Sequence, residues 1–368
     1  MSRLTRIYAW FLVSLTVTLI TTATDAAPIP KEYREAVRKG LEYLAKSQKD
    51  DGQGGGYWEG NDGQFRVALT ALAGMALSME GSTMHSGRYS KHITKTVRWL
   101  KSQAKANHRT PRHGLIGGTH RTNKNMYMFG HGYAVLFLAN IYGDDLDKNE
   151  RDVLKKILTQ AVQFIITAQT PQGGWFHTSA KEGAISSEPA TTIPQVQALL
   201  AVRNVGIAVP RNTIRRGQKY VALATVPTKP WWRPVRRQRN DRLGIIAAAL
   251  FFALRSDDAK REDVKKWLRR SRVLNKSSHK RVTSEYTDYY YAKVIHHLGD
   301  KGWAKLIDPN DQNPVTWTGY RKKLFDRLVK SQSPNGSWNN RFVGPVYSTA
   351  VYSIIMQLDN LPISLSPR

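Results

Sequence analysis

A seven-residue pattern occurs twice in this chain and sets the frame for the rest. Gln169-Thr-Pro-Gln-Gly173-Gly-Trp175 and Gln332-Ser-Pro-Asn-Gly336-Ser-Trp338 agree at every framework position: Gln, any, Pro, any, Gly, any, Trp. Gln48-Lys-Asp-Asp-Gly52 begins the same way and reaches Trp58 only after a Gly-rich insertion. Lys101-Ser-Gln103 repeats the Lys-Ser-Gln that ends at Gln48 and at Gln332. The four glutamines are separated by 55, 66 and 163 residues, the last about three units of 54. A helix end recurring at this period marks a repeat array, in which each unit buries its apolar face only against its neighbours.

The apolar spacing within each period is helical, in pairs of helices joined by Gly-rich turns. It predicts first helices over 32–48, 91–104, 150–169, 211–224, 260–272 and 319–332, and second helices over 64–79, 131–142, 190–205, 242–255, 286–298 and 345–358. The first set carries charge on one face, as in the stretch from Glu150 to Leu158, whereas the second is apolar nearly all round, as from Leu243 to Leu254. Burying one set and wetting the other suits two concentric rings better than an open solenoid. The expected fold is therefore all-α: an α/α toroid of six helix hairpins, occupying 28–368 as a single domain.

The Gln-x3-Gly-x-Trp turns resemble the QW motifs of the squalene cyclase and prenyltransferase repeat superfamily. There the Gln caps a helix end and the Trp stacks on the next turn. The likeness is complete for Gln169, Gly173 and Trp175 and for Gln332, Gly336 and Trp338. It is partial for Gln48, Gly52 and Trp58, extends to Gln103 in the Gln alone, and is lost in repeats four and five. Over most of the chain, segments such as Tyr127-Met-Phe-Gly-His131-Gly-Tyr133 and Asp288-Tyr-Tyr-Tyr-Ala look like a group of exported repeat proteins abundant in planctomycete bacteria. This resemblance implies architecture more than activity.

Several chemistries of that superfamily lack their residues here. Its class II cyclases protonate an alkene with a DxDD acid, and no DxDD occurs. Its protein prenyltransferases hold zinc with a Cys among the ligands, and its thioester domains need a reactive Cys; the chain has none. No disulfide framework or thiol nucleophile is possible either. No cofactor and no metal site is expected. The paired acids Asp50-Asp51, Asp144-Asp145 and Asp257-Asp258 fall at helix ends or loops, where solvated turn residues are the ordinary case.

The remaining candidates lie where second helices begin. In a toroid these N-termini meet at a funnel whose free N–H groups and helix dipoles favour anions. Arg66, His131, Tyr133, Glu188, Gln195, Asp241, Asp288, Tyr289, Tyr290 and Tyr347 are expected there as cavity or ligand contacts. Asp288, Glu188 and His131 are the weak catalytic candidates. Against these stand structural readings: Asp288 as a helix N-cap, and His131, between two glycines, as a satisfied core histidine.

Charge supplies the last clue. Lys and Arg total 56 against 28 acids, a formal +28, which attracts polyanions. From Arg211 to Arg242 there are ten Lys or Arg and a single acid, with Trp231-Trp232 among them. Arg215, Arg216, Arg233, Arg236, Arg237 and Arg239 are the expected anion-binding surface. The start of the chain, with Arg3 and Arg6, an apolar run from Ile7 to Ile20 and small residues up to Ala27, reads as an export signal over 1–27, with Ala26 a cleavage position. The run is shorter than the roughly 20 residues a membrane span needs, which favours cleavage over an anchor.

The leading expectation is an exported, monomeric envelope protein that binds a ligand, partner or anionic envelope component, with peripheral membrane contact open and nucleic acid disfavoured. The alternatives are an enzyme acting on an isoprenoid or glycan in the central cavity, and a structural scaffold.

Overall fold

The computed structural model describes residues 29–105, 110–118, 120, 124–144, 146–225, 238–255, 261–276 and 284–360. The segment 1–27 expected as an export signal, Trp231-Trp232 and Arg233, Arg236 and Arg237 lie outside them. The fold is all-α, with thirteen α-helices among the described residues. They are α1 Lys31–Ser47, α2 Arg66–Ser78, α3 Ser90–Ser102, α4 Tyr127–Tyr142, α5 Lys148–Ala168, α6 Pro189–Asn204 and α7 Arg211–Ala224. There follow α8 Gln238–Ala253, α9 Arg261–Lys276, α10 Glu285–Leu298, the short α11 Gly302–Leu306, α12 Trp317–Ser331 and α13 Pro345–Met356. Nine of the twelve predicted helices begin and end within two residues of these; α4 and α8 start four residues earlier than the apolar pattern alone indicates, α9 ends four residues later, and α11 was not foreseen.

Two kinds of helix are present. In α1 the buried residues Tyr33, Ala36, Val37, Gly40, Leu41 and Leu44 recur every three or four positions, so one stripe is covered and the rest is wet. In α2 every residue from Val67 to Leu77 is buried. A helix apolar on all sides needs neighbours on all sides. Accordingly α2 packs on α4, α4 on α6, α6 on α8, α8 on α10 and α10 on α13, and α13 packs back on α2. The amphipathic α1, α3, α5, α7, α9 and α12 pack from outside on these.

The Gln and Trp of each repeated turn explain how the units join. Gln169 Nε2 donates to Gly173 O at 2.8 Å and to Thr213 O, in the next outer helix, at 3.0 Å. Gln332 Nε2 donates to Gly336 O and, at 2.9 Å, to Ala36 O in α1. Gly173 and Gly336 have φ of +92° and +88°, and a Cβ on Gly336 would lie 2.4 Å from Lys39 O, so glycine is required by both conformation and contact. Trp175 Nε1 donates to Ile165 O and Trp338 Nε1 to Leu328 O, each at 2.8 Å. Their backbone N–H groups donate to Thr192 Oγ1 and Thr349 Oγ1 on the inner helices.

The insertion before Trp58 leaves this pattern intact. It forms a hairpin, β1 Lys49–Asp50 and β2 Gly56–Tyr57, antiparallel with Lys49 opposite Tyr57. Asp51 Oδ1 caps the loop by accepting from the N–H of Gln53 and Gly55. The chain thus returns to the point it left, and Trp58 Nε1 donates to Leu44 O while Trp58 N–H donates to Thr70 Oγ1.

Candidate functional site

A cavity of about 380 Å³ lies among the C-terminal turns of α2, α4, α6, α8, α10 and α13. It reaches the surface beside Gly81 and Asn360, and Asn360 Nδ2 holds that rim by donating to Met79 O. Met75, Leu136, Leu200, Phe251, Ile354 and Leu358 make it apolar, one from nearly every inner unit. This chamber is at the opposite end of the inner helices from the expected funnel. The local field is therefore reversed: helix C-termini present unpaired carbonyls and favour cations.

Cations are what the sequence places there. Arg255, two residues past α8, sets its guanidinium carbon 4.2 Å from the Phe251 ring centre. Lys293 of α10 places Nζ 5.6 Å from the same ring and 3.9 Å from that of Tyr289, whose hydroxyl accepts its N–H at 2.6 Å. Arg255 Nε is buried with no hydrogen-bond partner. Among the described residues, no carboxylate pairs with Arg255 or Lys293. Burial, reinforced by the Arg255 charge, lowers the Lys293 ammonium to about 7, and burial lowers Arg255 to about 10. Burial also raises Tyr289, so its phenol stays protonated. Asp144 lines the chamber too, but its carboxyl is raised by burial with no charged neighbour contributing.

Two neighbouring polar groups are committed elsewhere. His296 Nε2 lies 3.5 Å from Asp359 Oδ1, and Asp359 also accepts from Trp317 Nε1 and Arg321. Gln197 Oε1 accepts from Tyr290 O–H at 3.0 Å and closes the chamber toward the middle of the helices.

The residues expected at the opposite end are placed as follows. His131 is fully buried; its Nδ1 accepts from Ile116 N–H at 3.0 Å, which leaves the proton on Nε2, directed at Ala161 O at 3.4 Å. Burial depresses it to about 4. It is thus a neutral pin between repeats, and it does not line the chamber. Asp288 is a correction of another kind. Ser284 caps α10 by accepting from Thr287 N–H, so Asp288 sits a turn inside, where its carboxylate meets Arg327 of α12 at 2.7 Å. It joins two helices and does not cap one.

Glu188 accepts from Thr191 Oγ1 at 2.7 Å and lies 3.1 Å from His177 Nε2. Burial works to raise it, but these hydrogen bonds outweigh burial and hold it below its ordinary value. Arg66 is 2.7 Å from Glu59, which Lys49 also engages, so it fastens the hairpin. Gln195 Nε2 donates to Met128 O at 2.6 Å, tying α6 to α4. Tyr133 and Tyr290 are buried, with Tyr133 raised by burial to about 12, and Tyr347 is half-buried. Of the expected contacts, Tyr289 alone is among the residues lining the chamber. The side chains of Asp241 and Arg239 lie outside the described part.

On the basic surface, Arg216 donates to Thr170 O and Pro171 O and is spent on the repeated turn, while Arg215 donates to Asn212 Oδ1. Among the described residues no three His, Asp or Glu side chains are placed to hold a metal ion, and no helix is long and apolar enough to cross a membrane. Arg255, Lys293 and Phe251 were not singled out from the sequence. The available signal was a lone cation within the apolar run from Tyr289 to Ile295. Comparison with known proteins adds no identity: no family model and no curated protein matches the chain.

Proposed function

We propose that this chain is an exported α/α toroid of the QW-repeat kind that binds an amphipathic organic anion, an acidic group on an apolar tail, in the chamber at the C-terminal ends of its inner helices. The observation that carries the reading is the pair of cations, Arg255 and Lys293, set around Phe251 with no carboxylate against either among the described residues. Six helix C-termini favour cations at this end, yet Lys293 is still depressed, so the wall is short of negative charge. An anion from solution would supply it, and the apolar lining would take its tail. The volume falls within the range of about 300–1,000 Å³ usual for small-molecule sites. The toroid reading is supported by the packing order that returns from α13 to α2 and by the equivalent Gln and Trp contacts. Export rests on the sequence of residues 1–27, and the excess of Lys and Arg supports a second, outer contact with an anionic envelope component.

Calorimetric titration with octanoate, octanol and octylamine tests the ligand class. Saturable binding of octanoate, weaker for the other two and reduced about tenfold by Arg255→Met, is expected from the loss of one charge-assisted contact. Equal binding of octanol, or octanoate binding untouched in an Arg255→Met/Lys293→Met double variant, overturns the reading.

A further inference from the structure

We propose that Lys293 is a carbonyl-capturing amine, and that the chamber's ligand is an oxo acid whose carboxylate lies on Arg255 while its carbonyl condenses with Lys293 Nζ. The proposal rests on the anion-binding reading above and names the chemistry of the same site.

Three features of the geometry point to it. First, Nζ has no carboxylate partner among the described residues, so nothing there holds it permanently as an ammonium. A buried lysine beside a second cation is the usual arrangement of an amine that attacks carbonyls. Second, Arg255 and Lys293 face one ring, within 4.2 and 5.6 Å of its centre, which suits two functional groups on one small ligand. Third, the Tyr289 hydroxyl touches Nζ at 2.6 Å and keeps its proton, so a proton carrier is already in place.

The titratable groups that line the chamber with Lys293 are Tyr289 and His296 on its own helix, Arg255 beyond α8 and Asp144 after α4, whose carboxyl is raised by burial. On the segment after α13, Asp359 is occupied by Arg321 and Trp317. None of these supplies Nζ with a counter-charge.

The step balances without an outside reagent. The Nζ lone pair attacks the carbonyl carbon, and the C=O π pair moves to oxygen. A proton passes from nitrogen to that oxygen, with Tyr289 O–H positioned to relay it. The carbinolamine then expels water as the C=N bond forms. Amine and carbonyl become imine and water, with no oxidation or reduction.

Trapping with cyanoborohydride tests the proposal on the full chain. With 2-oxooctanoate, the expected product is a single reduced adduct mapped to Lys293 by peptide mass spectrometry, absent in Lys293→Met and suppressed by excess octanoate. Arg255→Met removes both the carboxylate contact and a charge that lowers Lys293, so trapping of 2-oxooctanoate is expected to slow about tenfold more than trapping of octanal, which has no carboxylate to lose; equal slowing of the two overturns the role given to Arg255. Near-ultraviolet circular dichroism of each variant separates loss of the amine from loss of the fold. If octanoate binds but labelling spreads over surface lysines, the imine proposal falls and the anion site stands. If octanoate does not bind, the anion reading itself falls.

Discussion

Trp338, in the turn after the last outer helix, rests on Gly40 of the first. A Cβ on Gly40 would lie 3.0 Å from its ring, and a Cβ on Gly217 would lie 2.8 Å from the ring of Trp175. The same indole-on-glycine contact thus joins one repeat to the next within the chain and the last repeat to the first. Each glycine follows by four residues the carbonyl that the preceding Gln reaches, Ala36 in one case and Thr213 in the other.

Gly40→Val and Gly217→Val are accordingly expected to destabilise the protein by about 1–3 kcal/mol each, through overpacking against an indole that has no room to retreat. Urea midpoints measure this. Unchanged midpoints would mean that the indoles are not locked in place.

Thr192→Val and Thr349→Val keep shape but remove the acceptor for the buried N–H of Trp175 and of Trp338. Each substitution is expected to cost about 1–3 kcal/mol. The two sites share no partner, so the costs are expected to add within about 0.5 kcal/mol. A double variant no worse than either single one would refute independent pinning.

His131 occupies in the second repeat the place that Thr70, Thr192 and Thr349 hold in the first, third and sixth, and it brings a titration that threonine lacks. Its folded pKa is about 4 against an ordinary 6.5. Above pH 6.5 the ring is neutral whether the chain is folded or not, and its contribution is complete. As pH falls from 6.5 toward 4, the unfolded chain takes up a proton that the folded one refuses, and about 3 kcal/mol of stability is lost. His131→Asn retains an acceptor for Ile116 N–H and is expected to flatten this limb. Denaturant midpoints from pH 4 to 7 for both proteins check the difference, and identical slopes would sink the assignment.

Much of the fold was legible because its signals are local. The Gln-x3-Gly-x-Trp turns mark where outer helices stop, and the contrast between α1, apolar on one stripe, and α2, apolar throughout, separates outer from inner. The chamber was less legible. Periodicity tells which face of a helix is covered, but not which end of a bundle spreads apart. The funnel is expected where the N-termini of a toroid's inner helices meet, and the chamber is a different place, at their C-termini. Lys293 sits one turn after Tyr289 in a run that reads as core, and its meaning depends on Arg255, distant in sequence. Asp288 was misread for a simpler reason. Ser284, two residues ahead of the predicted helix start, is the true cap.

The seating of α1 against α13 and α12 bears on the order of assembly. Tyr33, Ala36, Val37, Leu41 and Leu44 are synthesised long before α12 and α13, which supply much of the surface that covers them. Until those later helices have left the ribosome, α1 must wait with its apolar side uncovered.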